Sequence, residues 1–135
     1  MSSLDLSVEY PGTVDGAVRA LEERLKAEGF GILATLRVHD TLQEKLGAVI
    51  DPIVILDVCS PRQAKRALEI SRDAAWLLPC KIVVSLEKGK TRISLVRPTT
   101  LIRSLMPSKE FESLAEEVEV GLQNAVKAAA VPRAP

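Results

Sequence analysis

Ile53-Val54-Ile55-Leu56-Asp57-Val58-Cys59-Ser60-Pro61 is the stretch on which the fold reading turns. From Ile53 to Cys59 it is apolar except for Asp57. A short, β-branched apolar run bounded by prolines reads as a central strand, covered on both faces or nearly so. Ser60-Pro61 then opens a helix, with Ser at the N-cap and Pro at the first helical position. That helix carries Ala64, Ala67, Leu68, Ala74 and Ala75 and ends before Leu78-Pro79. Pro79 is open to either isomer. Cys80 to Leu86 reads as the next strand. In an ordinary strand-helix-strand crossover the two strands are parallel. Cys59 and Cys80 would then lie at opposite strand ends, roughly 20 Å apart.

Working outward, Leu4, Leu6, Val8 and Tyr10 alternate as in a strand, and Pro11-Gly12 ends it. Thr13 is the predicted cap of a helix over residues 14–28, with Val14, Val18, Leu21 and Leu25 on its apolar stripe. Gly31 to His39 alternates as a second strand. Asp40 to Gly47 reads as a short helical turn or loop. Beyond Leu86, Glu87-Lys88-Gly89-Lys90 is a hairpin turn with Gly where φ is positive, and Thr91 to Arg97 is the paired strand. Leu101 to Met106 is a short apolar segment. Ser108 caps the last helix, whose stripe is Phe111, Leu114, Val118, Leu122, Ala125 and Ala129. The order is β-α-β-(turn)-β-α-β-β-α. It predicts an α+β fold of two layers, one sheet with helices on one face, over residues 1–130, and a frayed tail over 131–135. Ala17-Val18-Arg19-Ala20-Leu21-Glu22 also resembles Ala64-Lys65-Arg66-Ala67-Leu68-Glu69, which suggests a duplicated strand-helix-strand plan.

Composition narrows the function classes. The 135 residues are 47% hydrophobic and 27% charged, a globular profile of one-domain size. Aromatics are only 3%, too few for a base-stacking surface. Eighteen basic residues balance eighteen acidic ones, so no nucleic-acid footprint appears. No apolar run reaches the roughly 18 residues of a membrane span. Met1 to Tyr10 lacks the basic start and apolar core of a signal peptide. The two cysteines are therefore expected as reduced thiols in a cytoplasmic protein.

Those cysteines are the only obviously reactive groups. Cys59, just before a helix N-terminus and near Arg62, reads either as a thiol of lowered pKa or as a small apolar side chain ending a buried strand. Cys80 reads chiefly as a structural thiol. Their spacing excludes Cys-x-x-Cys redox chemistry, and with one histidine they fall short of a zinc set. His39 reads as an exposed loop residue. Lys45 reads as an anion-holding charge or as part of a solvated helix face. Asp57, inside the apolar strand, needs a neighbouring Arg or Lys, or else is a pocket acid. No phosphate loop, serine elbow, zinc-helix motif or dinucleotide fingerprint is present, so no cofactor or metal is expected.

Four short motifs now line up: Gly29-Phe30-Gly31, Leu42-Gln43-Glu44-Lys45-Leu46-Gly47, Cys59-Ser60-Pro61 and Leu77-Leu78-Pro79-Cys80. In this order and spacing the chain resembles the domain-of-unknown-function family 302, small prokaryotic domains, from about Val14 to Pro98. The resemblance implies an α+β fold, homodimers and no assigned activity. It also implies that Lys45, Cys59 and Cys80 share a site. Ser60 stands where the family often has Asn, and the aromatic often found early in the Cys-bearing strand is missing.

Together these readings predict a homodimeric ligand-binding or accessory module. Its cleft would lie between the Asp40–Gly47 loop and the helix start at Cys59. Lys45, Cys59, Ser60, Arg62 and Cys80 would take a small anionic or polar ligand. Leu101 to Met106 would be a dimer contact or lid. The alternatives are a thiol-dependent enzyme or redox/metal sensor using Cys59, and a purely structural interaction module.

Overall fold

The computed structural model describes residues 4–131, so most of the tail expected to fray lies outside the described residues. Five strands form one sheet: β1 (Asp5–Tyr10), β2 (Gly31–Arg37), β3 (Ile53–Cys59), β4 (Cys80–Glu87) and β5 (Lys90–Val96). Five α-helices accompany them: α1 (Val14–Ala27), α2 (Val38–Leu46), α3 (Pro61–Ile70), α4 (Pro98–Leu105) and α5 (Lys109–Ala130). A 3₁₀ helix spans Arg72–Leu77. The fold is α+β, as expected.

The strand order is β1-β5-β4-β3-β2, and every neighbouring pair is antiparallel. This corrects the parallel crossover. Strands β3 and β4 are adjacent and antiparallel, with Val58 opposite Cys80. The connecting segment breaks at Ser71 into α3 and the 3₁₀ helix, so it folds back on itself instead of crossing the sheet. Leu78-Pro79 is cis. The duplicated plan fails for the same reason. β1 and β2 lie at opposite edges of the sheet, whereas β3 and β4 are neighbours.

One face of the sheet is covered. Val54, Leu56, Val58, Ile82, Val84, Ile93 and Leu95 point to it and are fully buried. Leu21 and Leu25 of α1 and Leu122 and Val126 of α5 meet them, also fully buried. Each such leucine contributes about 1.5–3 kcal/mol of transfer free energy. The helices start where their caps stand: Thr13 Oγ1 accepts from Gly16 N at 3.0 Å, and Ser108 Oγ from Phe111 N at 3.2 Å. The hairpin turn Lys88-Gly89 has positive φ at both residues, 53° and 78°, which matches the twist of the strands it joins.

The other face is open, so β3 is covered on one side only. Its outward residues Ile53, Ile55 and Asp57 are half-buried. Around them run polar pairs: Lys81 with Asp57 at 3.2 Å, Arg92 with Asp5 and Glu87, and Ser7 with Ser94. Asp57 thus has the ordinary lysine partner.

Helix α2 starts two residues earlier than the alternation suggests. Val38 and His39 are helical because Arg37 closes the turn: its Nε donates to Asp40 Oδ2 at 2.7 Å, and its carbonyl accepts from Thr41 Oγ1. His39 is not an exposed loop residue. Its side chain is 14% exposed, and its Nδ1 accepts from Ile53 N at 3.2 Å, tying α2 to the start of β3. None of the helices is long and apolar enough to cross a membrane, among the described residues.

Candidate functional site

A cavity of about 250 Å³ lies at the Cys59 end of β3. Its floor is the end of the covered sheet face, at Val58 and Cys80. Its walls are α3, the 3₁₀ helix, α4 and the first half of α5. Local sequence explains each wall. Pro61 starts α3 beside Cys59, and Ser71 caps the 3₁₀ turn by accepting from Asp73 N at 3.2 Å. Pro98 starts α4, and Ser108 aims Phe111 and Leu114 inward.

The lining is apolar. Phe30, Ile102, Phe111 and Leu114 supply bulk, while Ala64 and Ala67 leave the room. Gly121 matters here, because a Cβ on it would stand 2.9 Å from the Phe30 ring. Glycine at that helical position lets the ring lie against α5. Trp76 borders the cavity although its side chain is mostly in solvent. Ser60 and Gln63 are the uncharged polar residues at the rim, and Lys81, also at the rim, is already paired with Asp57.

Both cysteines line this cavity, and both are free. The antiparallel register sets them at neighbouring positions across β3 and β4, not at opposite strand ends. Strand alternation directs Cys80 to the face of Val58 and Cys59 to the other, so they are not posed for a disulfide. Burial pushes the Cys59 thiol above its ordinary range. Burial, with Cys59 nearby, pushes Cys80 up to about 11. The helix start therefore does not make a thiolate of Cys59: lost hydration outweighs the partial charge of the helix end. Ser60 sits at the N-cap of α3, but its side chain makes no capping hydrogen bond there.

The remaining predicted site residues are elsewhere. Arg62 is exposed on the first turn of α3 and does not line the cavity. Lys45 lies on α2, beyond the Ile53 end of β3. Seven strand residues at about 3.3 Å each put it roughly 20 Å from Cys59. The structure thus joins Cys59, Ser60 and Cys80 and separates Lys45 and Arg62 from them. Among the described residues no group of three or more metal-ligating side chains occurs.

The α4 wall is held by a residue with no obvious signal in the sequence. Glu119 of α5 is 6% exposed. It accepts from Thr99 Oγ1 at 2.7 Å, Thr99 N at 3.1 Å, Arg97 Nε at 3.2 Å and Gln123 Nε2 at 3.0 Å. A carboxylate on the Thr99 amide, in the first turn of α4, caps that helix from outside. Burial alone would raise the Glu119 pKa, but the bonds from Thr99 and Arg97 outweigh it and hold the group below its ordinary range. Within α4 itself, Leu101 and Ile102 face the cavity and Leu105 is exposed. Met106, just beyond, packs half-buried beside Phe111 and Leu114.

An antiparallel five-stranded sheet with this cavity and its Cys-x-Pro and Leu-Leu-Pro-Cys corners defines a small α+β domain class. The model of the family described as "Domain of unknown function DUF302" matches residues 6–129, and the chain belongs to that family. It is also similar to a crystal structure of an uncharacterized conserved protein DUF302 from Bacillus stearothermophilus. The two are 34% identical, with a TM-score of 0.90 over 95% of this chain and 99% of that one. No curated protein matches the chain. Neither the family nor that relative carries an assigned activity.

Proposed function

We propose that this chain is a non-enzymatic binding module, working as a homodimer, whose cavity takes a small and mainly apolar ligand. The observation that carries this reading is the lining: a preformed apolar hollow with a polar rim at Ser60 and Gln63. Small-molecule sites have that pattern, apolar walls with a few polar groups that orient the ligand. Its volume suits a small ligand. The cavity's chemistry replaces the anionic ligand expected with Lys45, since no free cation borders it among the described residues. The raised thiols are poor nucleophiles at neutral pH and act here as apolar lining. Free cysteines fit a reducing, cytoplasmic setting.

Trp76 is the chain's single tryptophan and borders the cavity, so it reports on occupancy. Titration with an uncharged probe, 1-octanol, is expected to shift Trp76 emission saturably. Ala64→Phe, which fills the hollow, is expected to abolish the shift while the circular dichroism spectrum stays unchanged. A folded Ala64→Phe protein that still binds octanol as wild type does sinks the cavity reading. Light scattering is expected to return twice the 14.6 kDa chain mass.

A further inference from the structure

We propose that the ligand of this cavity is an uncharged aromatic compound, one ring or two fused rings, carrying a single polar group. The inference rests on the cavity reading above and names the chemistry of the occupant. The chain has only four aromatic residues, Tyr10, Phe30, Trp76 and Phe111. Three of them, Phe30, Trp76 and Phe111, line this one cavity. They come from three distant places: the residue before β2, the 3₁₀ helix and the first turn of α5.

The centre of the core is built differently. Its largest fully buried side chains are all Leu, Ile and Val. Both thiols of the chain line the same cavity as the rings. The polarisable groups of the molecule, two sulfurs and three rings, are thus gathered at one place. Ring on ring, and sulfur against a ring, attract beyond the area they bury. An aliphatic ligand draws on little of that, whereas an aromatic one draws on both. Two features show that the rings are placed and not merely left over from packing. A Cβ on Gly121 would stand 2.9 Å from the Phe30 ring, so α5 gives up a side chain where that ring lies. Trp76 is 77% exposed although it borders the cavity, so folding buries little of its ring and leaves a stacking surface at the mouth.

Size and charge narrow the class further. A dry apolar cavity of about 150 Å³ takes benzene. The cavity of about 250 Å³ here has room for one ring with a short arm, or for two fused rings. Among the described residues no Asp or Glu lines it, and its one charged residue, Lys81, is paired with Asp57. A charged ligand would therefore be buried without a partner, which is costly. The ligand's polar group meets the rim at Ser60, whose hydroxyl is not spent on capping α3, and at Gln63.

The test compares two alcohols of one skeleton, benzyl alcohol and cyclohexylmethanol, by titration calorimetry on the full chain, with 1-octanol alongside. Cyclohexylmethanol is the more apolar of the pair, so burial alone favours it. Benzyl alcohol is nevertheless expected to bind about tenfold tighter, through its contacts with the rings. Trp76→Leu and Phe111→Leu are each expected to lower that ratio at least about threefold. Trp76 is exposed, so its variant keeps the fold whatever Phe111→Leu does. If octanol binds but benzyl alcohol binds no tighter than cyclohexylmethanol, the aromatic class is overturned and the cavity reading stands. A tenfold ratio that survives both substitutions also overturns it, since the rings would then play no part. Failure of all three alcohols to bind overturns the cavity reading and the aromatic ligand together.

Discussion

The two ends of strand β3 start from similar material and finish as opposite surfaces. At the Cys59 end, α3, the 3₁₀ helix, α4 and α5 close over the sheet and enclose the cavity. At the Ile53 end, α2 turns away and leaves Leu46 and Val49 in solvent. Both ends carry a short helix with apolar residues at helical spacing. What separates them is a contribution from far along the chain: Phe111 and Leu114 of α5 reach the Cys59 end. Among the described residues no comparable side chain covers α2. An apolar helix face is therefore a core in one place and a vacant surface in the other, according to what the rest of the chain brings to it.

That contrast can be broken most sharply at Phe111. Its ring is 6% exposed at the junction of α5 with the cavity. Phe111→Ala is expected to cost about 3–5 kcal/mol in urea unfolding. A loss below about 1 kcal/mol would mean that the closed end is no better packed than the open one.

The thiols sharpen the comparison next. With Cys59→Ser leaving Cys80 as the sole thiol, iodoacetamide is expected to react with Cys80 at least about a hundredfold more slowly than with an exposed cysteine near neutral pH, because two pKa units separate them. The rate should climb only as pH nears 11, where burial has placed the thiol. Fast alkylation at neutral pH would show a wetter cavity than this one.

Glu119 tests the α4 wall. Its pKa is lowered in the folded state, so it adds stability above its unfolded value, and that stability is lost as pH falls through the lower folded value. Glu119→Gln is expected to cost about 1–3 kcal/mol at pH 7 and to flatten the acid limb of the stability profile. An unchanged acid limb would mean that other carboxylates carry it. The smallest effect is expected at the open end: Leu46→Ser should change monomer stability by less than about 0.5 kcal/mol, read by thermal melting.

Much of the closed end was legible locally. Ser60-Pro61 and Leu78-Pro79 bracket the segment between β3 and β4, as their cap and corner chemistry requires. Cys59, Ser60 and Cys80 were singled out, and all three line the cavity. Phe30, Ile102 and Phe111 were not, because an apolar side chain in a cavity wall looks the same in sequence as one in a core. Lys45 was misplaced for a related reason. It lies within the Leu42–Gly47 motif, a few residues before β3 along the chain, yet β3 holds it a strand length from the cysteines.

By itself the sequence determined the local elements: period-two strands, helices with their caps, the positive-φ hairpin turn at Lys88-Gly89, and the family that the four short motifs mark. Only the tertiary structure decided that β3 and β4 are antiparallel, that the two cysteines meet at one cavity, and that β2 and α2 stay bare. Local structure follows from steric and hydrogen-bond preferences within a few residues. Strand direction and cavity walls depend on which distant segments pack together, and periodicity carries no record of that choice.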